Sequence, residues 1–379
     1  MPITIKEAIK KGYLGECKIL CGKNGLDRMI EKVGILDYET LDEIPQFFQR
    51  NEIVLTSFLN IKNEKEKLNN YVAKFIEVGS AGLLIKGIHI DEIDDETKEL
   101  CEYHDFTIII FEGVFFEDII LNIESTNQLE HDQNRLELKI NQLIQGNLSH
   151  AMIRTFLLEI NPYFHKNILV IYLKKIIFQK KSNFKINYNR VEKQDELVKY
   201  QDGYIFLMSF EKINKMHMKD ASLMKLRQIG FDIENLVIGM SNLHEDKGEA
   251  NLAIKEALYA NRHALTYDKT FEQFKDLGTD RIYLPLIENE WIQSYYETLL
   301  SPIILHDEKN KKDLLLTARL YVKYHGNIKA VATDLNQHDN TIRYRLNKIK
   351  ELMECEHQDE LYEQLTAAIR IYNLIKGSN

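Results

Sequence analysis

The sequence predicts a multidomain protein with an α/β N-terminal domain, an α+β middle domain and an all-α helix-turn-helix domain at its C-terminal end. Three observations predict it. At 379 residues the chain has enough length for two or three cores. Strand-like and helix-like patterns alternate over the first third, change character after a polar helical stretch, and give way to helix patterns alone near the end. The expected boundaries are 1–123, a connecting helix over 124–150, 151–280, a hinge over 281–312, and 313–379. An apolar share of 44% against 28% charged residues is that of a globular chain and not a disordered one.

In the first segment, residues 4–11 and 64–78 read as helices, the second with Leu68, Val72, Phe75 and Ile76 on one face and Gly79 as its stop. Strands are predicted over 16–20, 29–35, 52–56, 82–85 and 106–110, with further helices over 92–103 and 115–123. That alternation implies parallel strands covered by helices. In open sheets of this kind ligands meet the polar residues just past the strand ends. Thr56, Ser57, Lys86 and Gly87 are therefore candidates, with Asp37 and Glu52 behind them; for any one of them taken singly, turn chemistry or an ordinary surface polar group is the better explanation. The acidic run 91–96 beside His89 reads as a loop and a helix start, where the dipole favours acids.

Leu129, Leu136 and Leu143 recur every seven residues in the connecting helix, interrupted by Gln133 and Asn147. This weak heptad fits either a helix paired with its copy or a single amphipathic linker. In the middle segment strands are predicted over 168–178, 204–210 and 236–241, and helices over 219–229 and 246–265. Pro285 and Pro302 punctuate the hinge, where Trp291, the one tryptophan, is expected to pack between domains.

The last domain starts with a helix over 313–324 whose Leu316, Leu320 and Tyr324 recur every four residues, and closes with one over 360–375. Between them lie two short helices. Asn327 is placed to cap the first, which buries Val331, Ala332 and Leu335; Asn336 suits a left-handed turn; Asp339 or Asn340 is placed to cap the second. Ile342, Leu346, Ile349 and Met353 then form one face, while Asn340, Arg343, Tyr344, Asn347 and Lys348 point outward. From Asn340 to Lys350 there are four basic residues and no acid, which suits a helix beside phosphates in a major groove. The spacing alone fits a helical hairpin with a solvated basic face equally well.

The run Gly326-Asn327, Ala330-Val331-Ala332, Leu335, then Asn340-Thr341-Ile342-Arg343-Tyr344-Arg345-Leu346 and Lys348-Ile349 resembles the C-terminal helix-turn-helix of the PucR family of bacterial regulators, itself similar to the Fis-type motif. Gly25-Leu26-Asp27-Arg28, Val33 to Asp37 and Asn51-Glu52-Ile53-Val54-Leu55-Thr56-Ser57 resemble that family's N-terminal domain, which implies a small-molecule effector. The resemblance implies double-stranded DNA as partner, met by Asn327, Gln337, His338, Asn340, Thr341, Arg343, Tyr344, Arg345, Asn347 and Lys348. Arg343 and Asn347 are the expected base readers, Arg345 a phosphate or structural group, and Asn327 a phosphate contact. A homodimer or higher homo-oligomer is expected, because one such motif reads only a few base pairs. Regulators in the family act on purine, amino-acid or amine use.

The middle segment resembles the family's GGDEF-like domain, through Ile238-Gly239-Met240-Ser241 and Glu249, Ala253, Ala257 and Ala260. A cyclase of that fold needs a G-G-D/E-E-F hairpin whose acids hold divalent metal. Here the hairpin reads Gln201-Asp202-Gly203-Tyr204-Ile205, so a degenerate, non-catalytic domain is expected, with no catalytic residue, cofactor or metal. The net charge of −9 excludes a generally basic coat for nucleic acid and leaves the positive charge local to 343–350. The charged start Met1-Pro2-Ile3-Thr4-Ile5-Lys6-Glu7 predicts no signal peptide, and no apolar run approaches membrane length. With Cys17, Cys21, Cys101 and Cys355 too scattered for a disulfide framework, a cytoplasmic protein is expected.

Overall fold

The chain divides into two units, Met1–Arg135 and Leu136–Asn379, taken in turn below. The computed structural model describes residues 2–175, 186–212 and 217–376.

The first unit opens with α1 (Ile5–Lys10), held by a capping box in which the Thr4 hydroxyl accepts from the Glu7 amide and the Glu7 carboxylate accepts from the Thr4 amide. Then come β1 (Glu16–Cys21), β2 (Lys32–Leu36), α2 (Ile44–Phe47), β3 (Glu52–Thr56), α3 (Leu68–Val78), β4 (Gly82–Lys86), α4 (Asp95–Tyr103), β5 (Thr107–Glu112) and α5 (Phe116–Gln145). The sheet runs β1-β5-β4-β3-β2. β2 to β5 are parallel, as the alternation implies, but β1 is antiparallel to β5. No crossover helix separates β1 from β2, so β1 is free to add to the far edge in the opposite sense. Gly22, just after β1, has φ +67, and a Cβ there would meet the Phe106 carbonyl oxygen at 1.9 Å.

β3 is buried along its whole length because both faces are covered. Ile53 and Leu55 face a core with Ile5, Leu14, Ile109 and Ile119; Val54 faces another with Val72, Phe75, Leu83 and Ile85. Gly79, at φ +82, ends α3 as its spacing predicts.

α5 is one helix of 30 residues where the sequence suggests a break near 123. Its first turns bury Ile119 and Ile123 in the first unit. Within the second unit it buries Leu136, Ile140 and Leu143 beside α6 (His150–Ile160). Two of the three heptad leucines are thus consumed inside their own chain, while Leu129 is 42% exposed.

The second unit continues with β6 (Asn167–Lys175), β7 (Glu196–Tyr200), β8 (Gly203–Phe210), α7 (Met218–Ile229), β9 (Leu236–Met240), α8 (Ala250–Thr266) and β10 (Phe271–Gln273). Residues 176–178 of the expected 168–178 strand lie outside the described residues. The sheet order is β10-β9-β6-β8-β7, antiparallel except for the β9–β10 pair. β7 and β10 carry too short a pattern to be read from the sequence, as does α6. α8 lies close on β9 because Ala253, Ala257, Ala260 and Ala264 make a stripe of small residues and Gly239 meets it with no side chain. A Cβ at Gly239 would come within 2.2 Å of the Ala257 oxygen.

The remainder is helical: α9 (Asp280–Tyr283), α10 (Glu290–Asn310), α11 (Leu314–Lys323), α12 (Ile328–Asp334), α13 (Asp339–Leu352) and α14 (Gln358–Lys376). Pro302 lies inside α10 and does not end it. Leu300 and Ile303 on either side are fully buried, and their packing outweighs the roughly 3 kcal/mol that an interior proline costs. The segment expected as a hinge therefore supplies core to the helix-turn-helix, through Tyr296, Leu300 and Ile303. Trp291 is not packed between domains but 84% exposed. Five residues before Tyr296, it points about 140° away from the buried face of α10. On α11 the buried residues are Leu314, Thr317, Ala318 and Tyr321, while Leu316 of the predicted stripe is 45% exposed.

Candidate nucleic-acid interface

The C-terminal helix pair is assembled by local chemistry. Asn327 caps α12, its Oδ1 accepting from the Ala330 amide at 3.2 Å. Val331 and Ala332 face inward, and Asn336 takes the left-handed turn at φ +51. The second cap differs from the expectation: His338, not Asp339 or Asn340, is the last extended residue, and its Nδ1 accepts from the Asn340 amide at 3.2 Å. A ring nitrogen can accept this bond only while unprotonated. Asp339 becomes the first helical residue, where an acid suits the dipole.

α13 buries Ile342, Leu346 and Ile349 against α10, α11 and α12, so its opposite side is free. Asn340, Arg343, Tyr344 and Asn347 are exposed there, Tyr344 at 71%. Among the described residues neither Arg343 nor Asn347 has a side-chain hydrogen bond or ion pair. One turn apart, they present a fork of donors and an amide to the same space. Gln337, His338 and Asn327 are also exposed; Thr341 is half-buried. Arg345 is half-buried and donates from Nη1 to the Thr317 hydroxyl of α11 at 3.1 Å, which ties α13 to its support. Lys348 pairs with Glu351 at 2.9 Å.

The candidates in the first unit separate. Asp37, Thr56, Ser57, Lys86 and Gly87 lie at or just past the carboxyl ends of β2, β3 and β4, so the parallel sheet brings them to one edge. Glu52 starts β3 and lies at the opposite edge, about 13 Å away along the strand. It is 8% exposed and accepts from the Gln49 amide at 2.8 Å, a local structural bond. Thr56 is fully buried, its hydroxyl accepting from the Phe58 amide at 2.9 Å to shape the turn. The Lys86 ammonium stands 5.3 Å from the Phe115 ring centroid and 5.7 Å from that of Phe116. Glu112, which ends β5 beside Gly87, and exposed Phe115 join this edge and were not singled out by sequence; the Glu112-Gly113 break after an apolar strand is the signal that marks them. In the acidic run, Asp94 caps α4 by accepting from the Thr97 amide at 2.7 Å.

The β7–β8 turn holds Gln201 at φ +51 and Asp202, with Tyr200 paired to Gly203 across it. Asp202 accepts from the Tyr172 hydroxyl at 3.2 Å and pairs with Lys174 at 2.7 Å. Burial raises its carboxyl, but these partners outweigh that and hold it below the usual carboxylate range. Asp202 is the one acid of this turn, and it is paired.

Residues 7–126 match the family described as purine catabolism regulatory protein-like, and residues 314–371 match the PucR C-terminal helix-turn-helix domain. The chain carries a PucR-type N-terminal domain and a PucR-type helix-turn-helix. The matched helix-turn-helix spans α11 to α14, the helices that build the core under the exposed face of α13. Over 140 residues, 36% of this chain, the sequence is 26% identical to the purine catabolism regulatory protein of Bacillus subtilis (strain 168). The match covers 26% of that protein, so the chain aligns with about a quarter of the curated relative's length. A crystal structure of a regulator of polyketide synthase expression from Bifidobacterium adolescentis aligns over 61% of this chain and 96% of that one, at 16% identity and a TM-score of 0.24, too low to fix a fold. Among the described residues no helix is long and apolar enough to cross a membrane.

Proposed function

We propose that the protein is a metabolite-responsive, sequence-specific DNA-binding transcriptional regulator and not an enzyme. The observation that carries this reading is the unpaired Arg343 and Asn347 on the exposed side of a helix whose other side is locked into a helix-turn-helix core. α13 lies in the major groove, Arg343 reads guanine and Asn347 adenine, while Asn327, Gln337, His338, Asn340, Thr341, Tyr344 and Lys348 approach bases or phosphates around them. Arg345 positions α13 through Thr317. The domains divide as 1–123, 151–280 and 313–379, the last with α10 built into its core and the middle one a degenerate GGDEF-like fold without cyclase chemistry. The effector, a purine or another nitrogen compound, binds at the carboxyl edge of the first sheet, near Asp37, Ser57 and Lys86; the name of the Bacillus subtilis relative supports a purine. The protein works in the cytoplasm as a homodimer or higher homo-oligomer that spans two half-sites. The full chain should capture a small set of genomic fragments, with affinity falling steeply as salt rises. Uniform, sequence-blind retention of DNA, or none, would refute the reading.

A further inference from the structure

A recess lies inside the second unit. It is a groove of about 1140 Å³ bounded by the end of α8, the segment 276–280, one side of α11 and the last turns of α14. Its floor is apolar, from Leu277, Leu316, Leu320 and Ile369, which accounts for a leucine at 316 being exposed on a packed helix. Its rim carries Lys269, Arg319, Lys323 and Arg370 against Asp276 and Asp280. Asp280 is spent internally: it is 2% exposed and receives Arg370 at 2.8 Å, the Tyr267 hydroxyl at 3.0 Å and His263 Nε2 at 3.3 Å. Burial alone would raise its carboxyl, but His263 and Arg370 hold it below the usual range, so it adds its charge to a satisfied cluster; Lys323 has Asp334 at 3.6 Å, and Arg319 is the cation left over in the groove. Arg319 is exposed and has no partner among the described residues.

One buried polar atom of the wall, Oδ1 of Asn373, has no hydrogen-bond partner among the described residues, while the two ring nitrogens of His263 face Glu272 at 3.6 Å and Asp280 at 3.3 Å. Buried polar groups normally find a hydrogen bond, so Asn373 marks a place where a bound molecule is recognised. From these features we infer that the groove is a binding site for a small organic anion, a carboxylate or phosphate carried on an apolar or aromatic body with a polar group at its far end. The charge meets Arg319 and Lys323, the body lies on Leu316 and Leu320, and the far end reaches Asn373.

The groove is not an extension of the DNA face. At 100° per residue, Leu316, Arg319, Leu320 and Lys323 occupy the side of α11 opposite to Leu314, Thr317, Ala318 and Tyr321, which pack toward α13. An occupant still reaches the helix pair, because Lys323 also stands 3.6 Å from Asp334, the last residue of α12, and an anion competes for that ammonium.

The test uses the full chain, low salt and 4-hydroxybenzoate as probe, with acetate and phenol supplying its charge and its ring separately. Titration calorimetry should find one site per chain, bound at least tenfold tighter than either control. Arg319→Ser, an exposed substitution, should weaken the probe at least tenfold, and Arg319→Lys should recover part of the loss. Absence of saturable binding at millimolar probe, or unchanged affinity in Arg319→Ser, overturns the assignment. Displacement of the probe by duplex DNA of arbitrary sequence also overturns it, by giving the groove to a nucleic-acid backbone.

Discussion

Which side of α13 is free decides where it can meet a partner, and a pair of truncations reads that side directly. Leu346 is 1% exposed and sits between Ile342 and Ile349 in the helical core; Tyr344, two residues earlier, is 71% exposed. Leu346→Ala removes a buried side chain and leaves a cavity that the surrounding helices can close only partly, which costs about 3 kcal/mol. Tyr344→Ala should stay within about 0.5 kcal/mol, since it removes nothing that is packed. A chain with several cores need not melt in one step, so the effect is best read locally, by hydrogen exchange at the α13 amides. At about 1.4 kcal/mol per factor of ten, Leu346→Ala should speed exchange there roughly a hundredfold, and Tyr344→Ala about twofold or less. Comparable acceleration by both, or a larger effect of Tyr344→Ala, would show that the helix is rotated from the orientation described and would remove the basis for placing Arg343 and Asn347 outward.

Other substitutions test other joints. Gly239→Ala should cost about 3 kcal/mol or prevent folding of the middle sheet, measured by denaturation of the full chain, because its Cβ would strike the backbone of α8. Asn327→Ala should lower the local stability of α12 by about 1 kcal/mol in the same exchange experiment, through loss of its cap. Glu196 supplies a pH signature: burial pushes its carboxyl up to about 7, against the lowering effect of Asn161, from an unfolded value near 4.5. The folded state then binds the extra proton, so this stabilisation is full below about 4.5 and is lost as pH rises through 7, at most about 3 kcal/mol. Glu196→Gln should flatten stability across that window, and an unaltered pH profile would show that Glu196 is not the group responsible.

Periodicity made the long, regular pieces legible. The face Ile342, Leu346, Ile349 and the turn at Asn336 follow from helical spacing and backbone preference, and the structure has them as read. β3 was legible for the same reason, a short apolar run bounded by polar residues. What the sequence hid was pairing and competition. The sense of β1 depends on a partner nearly a hundred residues away, which no local pattern encodes. Pro302 and the single tryptophan were misread because a propensity rule gives way when packing on both sides of a residue is strong, and because exposure depends on which face a neighbouring core claims. In the candidate sites, helical spacing puts Arg343 and Asn347 on the outward face and the strand pattern puts Lys86 at the end of β4, and the structure has both there. Glu52 was misplaced because its strand was read as a unit, with no account of which end it occupied. The cap at His338 was missed because Asp and Asn are the commoner caps and imidazole is a rare one.

The most direct test of DNA reading by α13 is the affinity of Arg343→Ala for a captured operator fragment and for unrelated DNA at the same salt. Arg343 is exposed and unpaired, so its removal leaves the fold intact. The account predicts a loss of about 1–3 kcal/mol on the operator, with a much smaller change on unrelated DNA. Equal losses on both would reduce Arg343 to a phosphate contact, and unchanged operator affinity would contradict base reading by this helix.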